Sequence, residues 1–343
     1  MQSRSEFSTG ASSPGAAALA QGGQSTVPRR RNGLQWVFQN VVWLWLAALV
    51  IVFGVLNPFF LTLSNLQNVL VQATVLGLLA LAVSLPLLVA EIDLSIASNM
   101  GFSAAIGAMV STHAGLSPVI GVPAGIAAAT AVGFFNGLCV TRLKMVSLIQ
   151  TLAVMIVLQG SLLAVTQGNT ISDISRGYVW IGQYTIDNWP VMPVVFVVAL
   201  AAMAFLLRKT VLGRCLYATG GNVLAANSAG IRVNRIKVVA FTISGLLSGV
   251  AGYLLAAWQM AITSDQGEGF LLYAIAAPII GGVSVFGGRG GAMGILGGVL
   301  LLTVIHVGLA ITEVPSFYVQ MIGGILIFIA VAVDAIRVNF VSQ

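Results

Sequence analysis

The sequence predicts an all-α fold, a polytopic membrane helical bundle with about ten transmembrane helices. Of its 343 residues, 58% are hydrophobic and only 7% are charged, whereas a soluble domain carries about 25% charged residues. A hydrocarbon core of about 30 Å needs about 20 helical residues, because a helix rises about 1.5 Å per residue. Apolar runs of about this length recur along the chain after residue 32. A soluble fold is therefore excluded.

The apolar runs give the order of the spans, each bounded by a short polar or glycine-rich connection. We predict spans at 36–56, 69–90, 95–112, 118–140, 147–167, 191–207, 238–262, 271–287, 293–312 and 315–334.

The segment before the first run has a different composition. Residues 1–32 are rich in Ser, Gly, Ala and Gln and end in three consecutive arginines, a composition that cannot bury enough apolar surface to order itself. The run that follows is as long as a full span and shows no clear small-residue cleavage site, which argues against a signal peptide. We predict a disordered cytoplasmic tail at 1–32 and a transmembrane domain over 33–343.

The basic residues predict the orientation. The net charge of +6 comes from Lys and Arg that lie in the connections between apolar runs, which indicates membrane orientation and not nucleic-acid binding. With ten spans and the tail inside, fourteen of the fifteen Lys and Arg residues fall on one side, and Arg176 is the exception. We therefore expect both termini in the cytoplasm.

Two carboxylates interrupt the apolar pattern between the second and third spans. Glu91 and Asp93 lie in the stretch Ala-Glu-Ile-Asp-Leu-Ser-Ile-Ala-Ser at 90–98. Charges at membrane depth are costly and commonly functional, which favours a gate or a coupling site. The other interpretation places both at the interface, with Asp93 or Ser95 capping the next helix.

Polar side chains inside the spans are candidates for a solute pathway. Neutral amides can hydrogen-bond hydroxyl groups without the desolvation cost of a charge, but they also join helices to one another. The candidates for the pathway or its gate are Asn68, Gln72, Glu91, Asp93, Ser95, Asn99, Gln159 and Gln259.

Neither a metal nor a nucleotide site is expected in this chain. His113 and His306 have no ligand at metal-binding spacing. The glycine-rich stretch at 281–291 lacks the Lys-Ser/Thr pair of a phosphate-binding loop and reads as a turn. No cofactor is expected on this polypeptide and no catalysis; if transport uses ATP and Mg²⁺, another subunit binds them.

The longest cytoplasmic connection, 208–237, predicts a docking element. It holds six basic residues, but its middle at 220–231 is neither charged enough for a simple loop nor apolar enough for a span. A short helix bounded by glycines and exposed on the cytoplasmic face suits contact with a partner.

At three blocks the sequence resembles the ribose-type monosaccharide permeases of ATP-binding-cassette importers. Glu91 to Ser98 is similar to the family's Gly-Gly-Ile-Asp-Leu-Ser-Val-Gly-Ser. The stretches 212–252 and 267–291 are similar to its main cytoplasmic loop with the following span, and to its glycine-rich block. The resemblance covers about residues 36–334.

The resemblance implies a permease that works as a homo- or heterodimer with a cytoplasmic ATPase subunit and a solute-binding protein outside the membrane. It implies that 222–231 contains the coupling helix that contacts the ATPase. The residues implied in coupling are Gly213, Arg214, Gly220, Gly221, Asn222, Ala225, Ala226, Gly230 and Ile231.

This chain also departs from the family pattern. Ala90-Glu91 replaces a glycine pair, and Leu271 and Tyr273 replace two positions that are often acidic. These departures leave the solute open between a sugar and a related polyol. Other hypotheses are a branched-chain amino-acid permease, an ion-coupled transporter that uses Glu91 or Asp93, and, with least support, a membrane-embedded enzyme.

Overall fold

The computed structural model describes residues 33–112, 117–312, 314–315, 317–325 and 328–329. The predicted tail at 1–32, His113 and the end of the tenth predicted span lie outside the described residues. Backbone contacts divide the chain into a unit that ends at Asn40 and a large unit that begins at Val41. All contacts given below lie within the large unit.

Helices make up most of the described chain. They are α1 (Gly33–Leu56), α2 (Leu63–Leu88), α3 (Ile96–Thr112), α4 (Pro118–Arg142), α5 (Ser147–Thr166), α6 (Trp180–Gln183), α7 (Met192–Lys209), α8 (Val211–Gly221), α9 (Val223–Ser228), α10 (Val233–Gln259), α11 (Phe270–Ile280) and α12 (Ala292–Ile311). Residues 317–325 and 328–329 are also helical. A short 3-10 helix at Pro58–Leu61 precedes α2, and two short strands, β1 (Thr185–Ile186) and β2 (Trp189–Pro190), pair antiparallel between α6 and α7.

Six of the described helices are long and apolar enough to cross a membrane: α2, α4, α5, α7, α10 and α12. The apolar parts of α1 and α3, and all of α11, are shorter. The structure thus confirms an all-α, multi-span membrane bundle. The count of ten spans and the orientation stay predictions.

The eighth span, predicted as a helix over 271–287, is wrong in its length. Helix α11 ends at Ile280 and has 11 residues, which rise about 16 Å, roughly half the hydrocarbon core. It ends because Gly282 adopts a positive φ of 87° and starts a series of glycine turns. Hydropathy counted the apolar side chains of 283–286 but could not detect these turns.

Helix α2 is the centre of the bundle. Of its most apolar 18-residue window, 89% is buried, and it packs against α7, α10, α11 and α12. A helix that is apolar on all sides belongs in the interior of a bundle or against lipid, and contacts around it place α2 in the interior. The central helix α2 therefore connects the structures at its two ends.

Helices α4 and α10 approach each other through glycines. A Cβ atom on Gly133 would overlap the carbonyl oxygen of Phe241, and one on Gly245 would overlap that of Ala129. Small residues at such crossings let backbones approach closely in a membrane. Gly133 and Gly245 therefore allow the close α4–α10 contact.

The connection between α2 and α3, residues 89–95, is not helical. Helix α2 ends two residues after Pro86, and Ala90 has a positive φ of 59°. Irregular backbone at membrane depth is tolerated only where protein satisfies its polar groups. The 89–95 connection must therefore be held by hydrogen bonds from neighbouring helices.

Candidate functional site

Helix α9 is the short exposed helix that the 208–237 region was expected to contain. The side chain of Asn222 accepts a hydrogen bond from the amide of Ala225 (3.0 Å) and caps its N-terminus. Gly230 lies just beyond its end with a φ of 81°, a conformation that glycine adopts without strain. The amide of Ile231 donates to the carbonyl oxygen of Ala226 and closes the last turn.

Most of α9 faces away from the bundle. Leu224 is 78% exposed and Ala225 is exposed, whereas Ala226 is 3% exposed and anchors the helix. Val223 and Leu224 are adjacent exposed apolar residues, so α9 presents an apolar surface that a partner can cover. Arg214, on the preceding helix α8, is also exposed.

Helix α8 connects this surface to the end of α2. A Cβ atom on Gly220 would overlap the carbonyl oxygen of Leu88, so only glycine fits there. The amide of Gly288 donates a hydrogen bond to the same carbonyl oxygen (3.0 Å). We call this meeting point of Leu88, Gly220 and Gly288 the Leu88 junction.

The glycine-rich loop at 281–291 has a second tie to α8. The hydroxyl of Tyr217 donates to the carbonyl oxygen of Gly290 (2.8 Å). Burial raises the pKa of the Tyr217 phenol, although Arg208 opposes the shift, so the phenol keeps the proton that it donates. The loop therefore contacts α8 both at the Leu88 junction and at Tyr217.

Two predicted coupling glycines differ in their surroundings. A Cβ atom on Gly213 would crowd the backbone at Leu206 and Leu207, whereas Gly221 has no atom within 4 Å of its Cβ position. Gly213 is therefore a packing residue at the start of α8, and Gly221 has free space.

Asp93 is the centre of a buried polar cluster in the 89–95 connection. One carboxylate oxygen accepts from the amide (3.0 Å) and hydroxyl (2.6 Å) of Ser95, and the other accepts from the hydroxyl of Ser244 on α10 (3.1 Å). The amide group of Asn136 on α4 donates to the Ser95 hydroxyl oxygen (2.9 Å). These contacts hold the backbone directly before α3 and support a structural role for Asp93 at the start of that helix.

The backbone of the connection is held by α5. The amide of Ile92 donates to the hydroxyl of Ser147 (3.2 Å), and the amide of Leu94 donates to the hydroxyl of Thr151 (3.0 Å). Helices α4, α5 and α10 therefore all contribute partners to the connection, which satisfies its backbone in the interior of the bundle.

Glu91 forms an ion pair with Lys237 near the start of α10. The two side chains are 14% and 18% exposed, respectively, so the pair is partly shielded from water. The pair and the Asp93–Ser244 hydrogen bond both join the 89–95 connection to α10. The sequence did not indicate these partners, because Glu91 and Lys237 are 146 positions apart.

A cavity of about 800 Å³, which we call the polar cavity because polar side chains interrupt its largely apolar lining, lies towards the other end of α2. Gln72, which borders it, is 16 residues before Leu88, or about 24 Å along the helix. Aromatic, amide and acidic side chains share the lining with apolar ones: Trp258, Tyr273, Gln259, Gln320, Thr303, His306, Asp265 and Glu268. The described lining contains no Lys or Arg.

One buried lining group has no protein partner. The hydroxyl of Thr303 makes no hydrogen bond to the described residues, and the residue is 3% exposed. A buried hydroxyl without a hydrogen-bond partner costs free energy. A polar molecule bound in the cavity can supply that partner. The amide of Gln72, in turn, donates to the side-chain oxygen of Asn68 (3.1 Å).

The predicted pathway residues thus fall into separate groups. Gln72 and Gln259 line the polar cavity, and Asn68 touches Gln72. Glu91, Asp93 and Ser95 lie in the 89–95 connection. Asn99 donates to the carbonyl oxygen of Ala129 (3.0 Å) between α3 and α4, and Gln159 lies on α5 apart from both groups.

Trp258, Tyr273 and Thr303 were not among the predicted pathway residues. Trp258 is at the end of α10, Tyr273 in the first turns of α11 and Thr303 within α12. All three lie among apolar residues in the sequence, so they were not recognised as part of a polar site. Only Tyr273 could have been noticed from the sequence, because it replaces a residue that is often acidic in the similar family.

Comparison with known proteins gives a consistent family. The model of a family described as "Branched-chain amino acid transport system / permease component" matches residues 65–331.

Full-length relatives are also similar to this chain. The ribose import permease protein RbsC of Bacillus subtilis (strain 168) is 38% identical over 290 residues, covering 83% of this chain and 89% of the relative. The L-arabinose ABC transporter permease protein AraH of Azospirillum brasilense is 34% identical over 319 residues, 91% and 92% of the two chains. The autoinducer 2 import system permease protein LsrC of Photorhabdus laumondii is 31% identical over 298 residues, 84% and 87%.

Proposed function

Because this chain belongs to the family of branched-chain amino acid transport system permease components, we propose that it is the membrane subunit of an ATP-binding-cassette importer and translocates a monosaccharide or related polyol. The observation that carries this proposal is the exposed helix α9, which is joined through α8 to the end of α2 at the Leu88 junction. A partner that moves α9 can thereby act on the bundle interior.

We assign α9 as the coupling helix that contacts a cytoplasmic ATPase subunit. Closure of the ATPase pair would displace α9 with α8, because Asn222 both ends α8 and caps α9. The displacement reaches Leu88 through Gly220, where the two backbones touch without side chains between them. Such rigid-body transmission between two packings is a common basis of switching.

The polar cavity is the proposed entry of the solute pathway. Side-chain amides can donate hydrogen bonds to sugar hydroxyls and accept them, and carboxylates can accept them. Aromatic faces such as Trp258 pack against the apolar face of a sugar ring. The full-length relatives are named for the import of ribose, L-arabinose and autoinducer 2. These names favour a sugar or polyol over a branched-chain amino acid.

The complete importer would contain a second permease copy, two ATPase subunits that bind ATP and Mg²⁺, and a solute-binding protein at the polar-cavity side. We place it in the bacterial inner membrane with ten spans, and with residues 1–32 and the C-terminus in the cytoplasm. The segment 270–288 supports this number of crossings, because it begins at the polar cavity and reaches Leu88 at Gly288 although its helix is short.

An ion-coupled transporter is the alternative from another class. It needs a carboxylate that binds and releases an ion in the pathway. Asp93 accepts three hydrogen bonds and Glu91 is paired with Lys237, and neither lines the polar cavity. Both carboxylates are therefore better explained as structural contacts.

The proposal is tested by uptake of labelled ribose and L-arabinose in cells that carry the permease with its ATPase and binding protein. We expect uptake to disappear when the ATPase gene is deleted and to continue when an ionophore collapses the ion gradients. Uptake that survives the deletion and stops with the ionophore would establish the ion-coupled alternative.

A further inference from the structure

We infer that Glu91 and Lys237 are a positioning pair that makes the 89–95 connection follow α10 when α9 moves. This inference rests on the proposed function. The resemblance to the family does not imply this contact, because Glu91 replaces a glycine of the similar family sequence.

The first observation is the location of Lys237. Four residues separate the end of α9 at Ser228 from the start of α10 at Val233. Lys237 therefore lies in the second turn of the helix that directly follows the coupling element. A displacement of α9 therefore acts on α10 at the turn that holds the ion pair.

The second observation is that two contacts run side by side along α10. Lys237 and Ser244 are seven residues apart, or two helical turns, and so lie on one face. Their partners Glu91 and Asp93 are two residues apart in the non-helical connection, so both point to the same side. The hydrogen bond of Ser244 fixes the buried end of the connection, and the ion pair fixes its exposed end.

The third observation is that the pair borders an open cavity. Glu91 and Lys237 line a cavity of about 540 Å³ that Lys144 also lines. Lys144 is exposed and forms no ion pair with the described residues. Because the pair is partly exposed at the edge of this space, its loss should cost little stability, so an effect on positioning can be measured apart from folding.

The experiment measures solute transported per ATP hydrolysed in the complete importer reconstituted in liposomes. We expect Glu91→Gln and Lys237→Gln each to lower this ratio by about three- to fivefold, because a partly exposed pair gives only a modest bias between states. Lys237→Arg keeps the charge and should keep the ratio. Lys144→Gln is the matched control, since it removes a positive charge from the same cavity without breaking the pair.

A double variant with exchanged charges, E91K/K237E, tests whether the ion pair itself is required and not only one of its residues. It also keeps the inference testable if a single variant fails to insert into the membrane. A ratio near that of the unmodified importer supports the inference. A low ratio in the inserted double variant, or unchanged ratios in both single variants, overturns it. The melting temperature of each variant shows whether the variant has a folding defect. Loss of positioning alone lowers the transport ratio of the Glu91 and Lys237 variants but not that of the Lys144→Gln importer. Failure of the unmodified importer to transport with ATP would instead contradict the proposed function.

Discussion

Gly220 lies directly against the carbonyl oxygen of Leu88, where a methyl group on Gly220 would overlap that oxygen. Gly288 completes the contact with a hydrogen bond to the same oxygen. The end of the central helix thus meets the exposed coupling element through backbone alone. This contact explains why glycine is required at position 220.

Replacement of Gly220 by alanine should weaken the link between α8 and α2. The added methyl group must displace the backbone, a change that costs about 1–3 kcal/mol in a packed interior. We expect a lower melting temperature in detergent and a smaller ATP-driven uptake. Gly221→Ala is the control, because its Cβ position is open. Equal behaviour of the two variants would argue against a tight Leu88 junction.

Replacement of Leu224 by aspartate should weaken binding of the ATPase subunit. Burial of a leucine side chain at an interface contributes about 1.5–3 kcal/mol, so affinity should fall by about tenfold or more. The melting temperature of the isolated permease should not change, because Leu224 is 78% exposed. Affinity is measured by titration of the purified ATPase, and Leu224→Met should retain it. An unchanged affinity of the aspartate variant would remove α9 from the contact.

Replacement of Gly245 by alanine should separate α4 from α10. Its methyl group would overlap the carbonyl oxygen of Ala129, and we expect a clear fall in melting temperature. Gly160→Ala on α5 is the matched control, since its Cβ position has no atom within 4 Å. Alanine there should be neutral or stabilise the helix by about 0.5–1 kcal/mol. A fall of the same size in the melting temperatures of both variants would show that the effect does not come from the contact between α4 and α10.

Replacement of Trp258 by alanine should reduce uptake of the sugar. Loss of an aromatic face in the polar cavity removes about 0.5–1.5 kcal/mol beyond its buried area, or about two- to thirteenfold in the apparent affinity for the sugar. Trp180, which packs on Tyr184 (5.0 Å between ring centroids) and does not line this cavity, provides the control. Normal uptake in Trp258→Ala would exclude this cavity from the pathway.

Much of the fold follows from local patterns, and the limits of prediction have physical causes. Runs of apolar residues predicted the helices, and Asn222 with Gly230 marked the ends of α9. Hydropathy overestimated α11, because it measures side chains and not the backbone conformation of Gly282. The partner of Glu91 could not be predicted, since no local rule relates it to Lys237, 146 positions away. The polar cavity combines ends of separate helices, so its lining emerges only from their packing.

The central claim is that energy from a separate ATPase enters through α9 and drives solute through this chain. The most direct measurement is accumulation of labelled monosaccharide in liposomes that contain the purified permease, its ATPase and its binding protein. Our account predicts accumulation that requires hydrolysable ATP and is strongly reduced by Leu224→Asp. Accumulation that is equal with ATP and with a non-hydrolysable analogue, or that is unaffected by Leu224→Asp, would contradict it.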